Sequence, residues 1–146
     1  MPPGYSETPL WKKLGVRSGD RLLLLDPPRN WSVPDLPPGV TSIAEAGEDR
    51  GQAPAEIILA FFPSLARLHE RIPLLAPRVF PAGAIWAAWP RRAAGHERDI
   101  REQDIRSVAL PLGLVDVKVA ALDEDWSGLR LVWRRARRDA PDATPG

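Results

Sequence analysis

Gly83–Pro90, with the sequence GAIWAAWP, is the stretch that decides the fold of this chain. The run is continuously apolar, follows the turn residues Pro81 and Ala82, and is followed by Arg91 and Arg92. An apolar run of this length between turn residues predicts a strand that is buried on both faces. We therefore expect a central strand here, with polar side chains directly beyond its carboxyl end.

Five further apolar segments predict the other strands of the sheet. They are residues 22–25, 40–43, 56–62, 114–122 and 129–134. The last two are separated by a short acidic loop, so they should pair antiparallel as a hairpin.

Three segments combine helical spacing of apolar residues with helix end signals. Pro9–Gly15 ends at a glycine, which suits the left-handed position after a helix. A second helix should begin after Ser64, whose hydroxyl can cap it, and should bend or break at Pro73. A third should begin at the capping pair Asp99 and Glu102 and should end at Pro111 and Gly113.

Apolar strands that alternate with helices predict right-handed crossovers and a mostly parallel sheet. The expected fold class is α/β: a three-layer, Rossmann-like, mostly parallel sheet with a C-terminal antiparallel hairpin. Residues 9–135 should form this one domain, with a flexible arm at 1–8 and a disordered tail at 136–146.

Composition excludes several classes of chemistry. The 146 residues carry a net charge of +1, which argues against nucleic acid and membrane surfaces as partners. The chain has no cysteine, which excludes disulfides, thiolate metal sites and cysteine nucleophiles. Its two histidines lack partners at metal-ligand spacing, so no metal site is expected. With no signal-like or membrane-spanning apolar segment, a cytoplasmic protein is the expectation.

The first candidate site collects side chains expected at the carboxyl ends of neighbouring strands. They are Asp26, Ser64, Trp89, Arg91 and Arg92. Ligands bind at this edge in open α/β sheets, and an aromatic face beside guanidinium groups suits a small planar or anionic ligand. The alternative is a solvated loop, with Trp89 packed in the core.

The second candidate site lies on the predicted hairpin. It consists of Asp116, Lys118, Asp123, Trp126 and Ser127. Asp116 and Lys118 are two residues apart on one strand, so they are expected to share a face and to pair. A lysine on an otherwise apolar sheet could act as a base or form a Schiff base. The alternative is a surface ion pair worth about 0–1 kcal/mol, with Trp126 and Ser127 shaping the turn.

Two stretches of the sequence carry a family resemblance. They are GYSETPLWKKLGVRSGDRLLLLDPP at 4–28 and LGLVDVKVAALDEDWSGLRLVWR at 112–134, the latter preceded by AIWAAWPRR at 84–92. Together they resemble a small bacterial family catalogued as a domain of unknown function, over most of residues 4–135. The layout of strands and helices also resembles a reduced class I methyltransferase domain. That resemblance implies an S-adenosylmethionine pocket after the first strand.

The corner after the first strand departs from the methyltransferase pattern. Such an enzyme needs a glycine-rich turn there, so that backbone can approach the cofactor, whereas residues 26–30 read DPPRN. The two prolines also remove two backbone donors. Neither a G-x-G-x-x-G nor a P-loop motif occurs in the chain. No cofactor is identified by the sequence.

The sequence therefore favours a non-catalytic ligand- or partner-binding domain on a nucleotide-binding-type scaffold that lacks a phosphate loop. The alternative is a methyltransferase-like enzyme with an atypical S-adenosylmethionine pocket. A homo-oligomer built through the exposed edge of the hairpin is a further alternative.

Overall fold

The computed structural model describes residues 8–46, 53–91 and 100–136 of the chain. The predicted arm, except Thr8, and the predicted tail from residue 137 onward lie outside these ranges. The elements in chain order are α1 (Leu10–Leu14), β1 (Arg21–Leu25), β2 (Thr41–Glu45), β3 (Ile57–Phe61), α2 (Leu65–Leu75), β4 (Ala84–Pro90), α3 (Glu102–Leu112), β5 (Leu114–Ala121) and β6 (Trp126–Trp133). A 3₁₀ segment, Ala76–Val79, follows α2.

The six strands form one sheet in the order β2-β1-β3-β4-β6-β5. Strands β1 to β4 pair in parallel, whereas β6 is antiparallel to both β4 and β5. Helices α2 and α3 pack on one face, and α1 with the segment 26–40 packs on the other. The expected fold class, a three-layer Rossmann-like sheet with a C-terminal antiparallel hairpin, is confirmed.

Strand β4 lies inside the sheet and is buried on both faces, as its apolar run predicts. Every residue from Ala84 to Trp89 is buried. Ile85 and Ala87 belong to the core under α2 and α3, whereas Trp86 and Ala88 belong to the core under α1. The strand therefore supplies apolar side chains to both cores at once.

Two tryptophans connect the sheet to the layers that cover it. The indole Nε1 of Trp86 donates to the carbonyl oxygen of Leu14 at 3.0 Å, and Nε1 of Trp133 donates to the carbonyl oxygen of Ala76 at 3.0 Å. Each buried indole thus satisfies its one donor on a helix terminus across the core. These bonds fix α1 against one face and the end of α2 against the other.

Helix α2 confirms the predicted cap and, of the predicted bend or break at Pro73, shows no break. The hydroxyl oxygen of Ser64 accepts from the backbone N–H of Arg67 at 3.3 Å, as a capping residue does. The helix continues two residues beyond Pro73, however, and then tightens into the 3₁₀ segment. Pro73 is tolerated because it lies in the last turn on an exposed position, where its missing N–H affects one helical bond.

Helix α3 begins with a different cap from the predicted pair. The residue that precedes it is Arg101, whose backbone N–H donates to Oδ2 of Asp104 at 2.9 Å. Glu102 is the first helical residue, and Asp99 lies outside the described ranges. The prediction placed the start too early because Arg101 has no side chain typical of a cap.

The glycines expected to end helices do so. Gly15 follows α1 with φ of 84°, and Gly113 follows α3 with φ of 98°. Both values lie in the left-handed region that glycine adopts without steric cost. None of the helices in the described ranges has the length and hydropathy needed to cross a bilayer.

Candidate functional site

The strand order places a topological switch point between β1 and β3. The connection after β1 leads outward to β2, whereas the connection after β3 leads through α2 to β4 on the other side. In open α/β sheets, ligands bind in the crevice at the carboxyl ends of the strands at such a point. At this edge, candidate residues extend from the end of β1 across to the start of β6.

The corner after β1 turns on residues with unusual backbone angles. Asp26 has φ of 52° and Asn30 has φ of 61°, in the left-handed region that aspartate and asparagine tolerate better than most residues. The backbone N–H of Asp26 donates to the carbonyl oxygen of Glu45 at 2.9 Å, which ties the corner to β2. Pro27 and Pro28 lie between these residues and have no N–H to offer a ligand.

An aromatic cluster of Trp31, Phe61 and Trp126 lies at this edge of the sheet. Phe61 is the last residue of β3, and the centroid of its ring lies 4.8 Å from that of Trp31 and 5.0 Å from that of Trp126. Both contacts are edge-to-face, a favourable geometry for aromatic pairs. The cluster brings together the ends of β1 and β3 and the start of β6.

Asp123 holds this cluster in place from the loop between β5 and β6. Its Oδ2 accepts from Nε1 of Trp31 at 2.8 Å. Its Oδ1 accepts from the backbone N–H groups of Asp125 and Trp126, each at 2.8 Å. One carboxylate therefore fixes the hairpin turn and the orientation of Trp31, 92 residues away in sequence.

Arg91 connects the end of β4 to the same loop. Its Nη1 donates to the carbonyl oxygen of Asp123 at 2.8 Å, and its backbone N–H donates to the carbonyl oxygen of Asp125 at 2.7 Å. Strand pairing also places Ser127 opposite Trp89. Part of the second candidate set, Asp123, Trp126 and Ser127, therefore lies beside Arg91 of the first.

The remaining members of the first set have different surroundings. Trp89 is only 4% exposed and packs in the core under α2 and α3, as the alternative of core packing describes. Ser64 caps α2. Asp26 lies half-buried at the corner after β1, and Arg92 lies outside the described residues.

A β-bulge separates Asp116 from Lys118, which corrects the expectation that they share a face. Asp116 pairs with Leu131 and Lys118 pairs with Arg130, so Val117 is the extra residue in β5. Leu131 faces α2 and α3, whereas Arg130 lies opposite Trp86 of the other face. The two side chains therefore point to opposite sides of the sheet.

Asp116 pairs with α3 instead of with Lys118. Its Oδ2 lies 2.9 Å from Nε of Arg106, and Nη2 of the same guanidinium lies 2.8 Å from Oε2 of Glu102. These carboxylates, Asp116 first, raise the pKa of Arg106 above its ordinary value. Because the Arg106 and Asp116 side chains are about 30% exposed, the pair is worth about 0–1 kcal/mol and holds α3 on the sheet.

A small cavity lies elsewhere, beside β2. It encloses about 60 Å³ between Leu23, Ile43 and Ala55, and the ion pair of Glu45 with Arg78 forms part of its wall at 3.1 Å. Cofactor and drug-sized ligands need several hundred Å³. The cavity is therefore too small for a nucleotide-sized ligand.

Comparisons with known proteins show the fold and no family. No protein-family model matches the chain, and neither does any curated protein. Among solved structures, 40 chains match. One is a LepI variant in complex with SAH and a substrate analogue, with a TM-score of 0.53 and 14% sequence identity. The match covers 86% of this chain and 39% of the LepI chain. Membership of the bacterial family of unknown function stays a prediction.

Sequence reasoning missed two members of the aromatic cluster as site residues. Trp31 follows β1 by six positions, and Phe61 ends β3, so both positions could have been assigned to the ligand-binding edge. No group of three His, Asp or Glu side chains in the described part of the chain could hold a metal ion. His69 lies exposed on α2, and His96 lies outside the described residues.

Replacing Asp123 by alanine is expected to release Trp31 and loosen the hairpin turn. Three hydrogen bonds to a carboxylate would be lost at a solvated position, which should lower the free energy of unfolding by about 1–2 kcal/mol. The tryptophan fluorescence emission should also shift to longer wavelength, because the indole of Trp31 becomes more exposed to solvent. Urea denaturation followed by fluorescence measures both effects. Glu124→Ala, on the exposed neighbour, is the control and should change neither.

Proposed function

We propose that the chain is a non-catalytic binding domain whose ligand or partner contacts the carboxyl edge of the sheet. The observation that carries this proposal is the position of Trp31. Its indole packs against Phe61 at the end of β3 and donates a hydrogen bond to Asp123. These contacts lie at the topological switch point, where Rossmann-type proteins bind their cofactor.

The corner after β1 supports a role without an adenosyl cofactor. A phosphate or adenosyl group in a Rossmann-type crevice is held by backbone N–H groups of a flexible glycine turn. Here Pro27 and Pro28 supply no N–H, and the N–H of Asp26 is used by Glu45. Three successive backbone positions of the corner, residues 26–28, therefore have no N–H to offer a ligand.

The chemistry of the edge favours a small planar or anionic ligand. Trp31 and Trp126 are both half-buried and have partly exposed ring surface. Arg91 supplies a positive charge beside them, and its guanidinium can share its donors between Asp123 and an acceptor on the ligand. Aromatic carboxylates combine a flat apolar ring with such an acceptor.

The alternative is a methyltransferase-like enzyme with an atypical S-adenosylmethionine pocket. It is favoured by the likeness to LepI, which was solved in complex with SAH. In that case the cofactor would have to be held by side chains rather than by a glycine turn.

Titration with SAH and with S-adenosylmethionine separates the two functions. On the non-catalytic proposal, calorimetry should show no saturable heat at concentrations up to about 1 mM, which corresponds to binding weaker than about 4 kcal/mol. Saturable binding, or a rise of several degrees in melting temperature, would favour the enzyme and contradict the proposal.

A melting-temperature screen tests the ligand class. Benzoate and indole carboxylates should raise the melting temperature, and neutral adenosine should not. Arg91→Gln should remove the response, whereas the matched control Arg134→Gln, on an exposed arginine beyond β6, should keep it. A response that survives Arg91→Gln would place the ligand elsewhere.

A further inference from the structure

Three cationic residues lie on the face of the sheet that α1 covers. Arg130 of β6 lies opposite Lys118 of β5 in the strand register, and its position is close enough to Arg17 for the two guanidinium groups to repel each other. Arg17 and Lys118 are exposed, whereas Arg130 is half-buried. We refer to Arg17, Lys118 and Arg130 as the cationic cluster.

Arg130 lies in surroundings that do not compensate its charge. It is opposite the buried Trp86 in the pairing of β4 with β6, and a Cβ added to Gly15 would lie 3.5 Å from its Nη2. Its Nε is buried and has no hydrogen-bond partner. Burial, and then the charge of Arg17, lower the pKa of Arg130 from its ordinary value. A buried donor without a partner is costly and uncommon in native structures.

The end of α1 does not supply the missing partners. The carbonyl oxygens of Trp11 and Lys12 accept from the backbone N–H groups of Val16 and Gly15, at 3.0 and 3.1 Å. The carbonyl oxygen of Leu14 accepts from Trp86. Three of the carbonyl oxygens at the C-terminal end of α1 therefore already accept hydrogen bonds. They do not serve as partners for the guanidinium of Arg130.

Carboxylates do not neutralise the cluster either. Oδ2 of Asp20 accepts from the backbone N–H of Arg17 at 2.8 Å, not from its guanidinium. Within the three described ranges, none of the ion pairs includes Arg17, Lys118 or Arg130. Like charges on directly opposite strand residues are unfavourable, so the arrangement costs stability unless an anion is present.

We propose that the cationic cluster binds a compact oxyanion of the phosphate type, held between Arg130 at the base and Arg17 and Lys118 at the rim. A guanidinium presents a planar fork of donors that matches two oxygens of such a group, and the ammonium of Lys118 adds a point charge. The anion would pair the donors of Arg130 and remove the repulsion between the two arginines. This site is on the α1 face and does not depend on the proposed function at the carboxyl edge.

Thermal denaturation in inorganic phosphate tests the site on the full chain. Compared with chloride at equal ionic strength, phosphate at about ten times its dissociation constant should raise the melting temperature by about 3–6 °C. Acetate at the same ionic strength should give a smaller rise if the site prefers a tetrahedral dianion. A rise with acetate equal to that with phosphate would overturn the phosphate assignment.

Variants of the cluster locate the effect. Arg130→Gln and Lys118→Gln should each abolish the rise, whereas Arg134→Gln, on an exposed arginine outside the cluster, should keep it. Arg17→Gln should also raise the melting temperature in phosphate-free buffer, because it removes the repulsion from Arg130. The same melting temperature for the unmodified chain in phosphate and chloride would overturn the proposal, and so would a rise that persists in both Arg130→Gln and Lys118→Gln. Because Lys118 is exposed, its variant tests the site even if Arg130→Gln fails to fold.

Discussion

Replacing Trp86 by alanine is expected to lower the free energy of unfolding by about 4–5 kcal/mol. The Trp86 side chain is fully buried, so its loss removes a large apolar surface from the core and leaves a cavity between α1 and the sheet. The change also leaves the carbonyl oxygen of Leu14 without the indole donor. Because domains of this size have a total stability of about 5–15 kcal/mol, a large part of it would be lost.

Urea denaturation, followed by far-ultraviolet circular dichroism, measures this loss. Trp86→Phe keeps a ring in the cavity but removes the hydrogen bond, so its cost should fall between zero and that of alanine. Trp126→Ala, at a half-buried position, serves as the matched tryptophan control and should cost less. Equal stability of Trp86→Ala and Trp126→Ala would contradict the role assigned to Trp86.

Replacing Gly83 by alanine should also destabilise the protein, because the nearest neighbours of an added Cβ are backbone atoms, which cannot move aside cheaply. A Cβ at this position would lie 2.7 Å from the carbonyl oxygen of Glu56 and 3.0 Å from those of Ala55 and Val79. Two of these oxygens are engaged: that of Glu56 accepts from Ala84 at 2.9 Å, and that of Val79 accepts from Gly83 at 2.8 Å. Relief of the overlap would therefore disturb the start of the pairing between β3 and β4.

The expected cost of Gly83→Ala is about 2–3 kcal/mol, or a drop of about 6–10 °C in melting temperature. Differential scanning calorimetry gives the value directly. Ala82→Ser, at the exposed preceding position, is the control and should leave the melting temperature within about 1–2 °C of the unmodified chain. A Gly83→Ala variant as stable as this control would contradict the prediction, because it would show that the turn can shift to accept the added Cβ without cost.

The sequence predicts the sheet well because its signals there are local. The uninterrupted apolar run of β4 predicts that both faces of this strand are buried. The short acidic loop before Trp126 predicts that the last two strands form a hairpin. Gly15 and Gly113 mark helix ends for a steric reason that holds in any fold. These predictions depend on neighbouring residues, and all of them are confirmed.

The bulge at Val117 illustrates what local signals cannot give. Val115, Val117 and Val119 alternate with polar or small residues, which predicts a regular strand with Asp116 and Lys118 on one side. The actual register depends on pairing with β6, where Asp116 and Lys118 occupy adjacent positions opposite Leu131 and Arg130. The bulge depends on the pairing of β5 with β6, and the sequence of β5 alone does not predict it.

The contacts of Trp31, unlike its place near the end of β1, cannot be predicted from the sequence, because one of its partners is distant in the chain. Residues 29–36 show no clear period, so the sequence does not distinguish a loop from a short helical turn in this segment. The indole is held by Phe61 and by Asp123, and the second of these is 92 residues away. A contact between residues so far apart in sequence can be identified only once the fold is known.

The insertion of β6 between β4 and β5 has a consequence for the order in which the sheet can be completed. As the chain emerges from a ribosome, β4 and β5 are both available before the strand that separates them has been made. Until Trp126–Trp133 has been synthesised, the backbone edge of β4, a strand whose residues Ala84 to Trp89 are all buried in the complete sheet, has no neighbour on that side. An unpaired apolar edge invites pairing with other chains, so the nascent protein is most exposed to aggregation just before its final strand is synthesised.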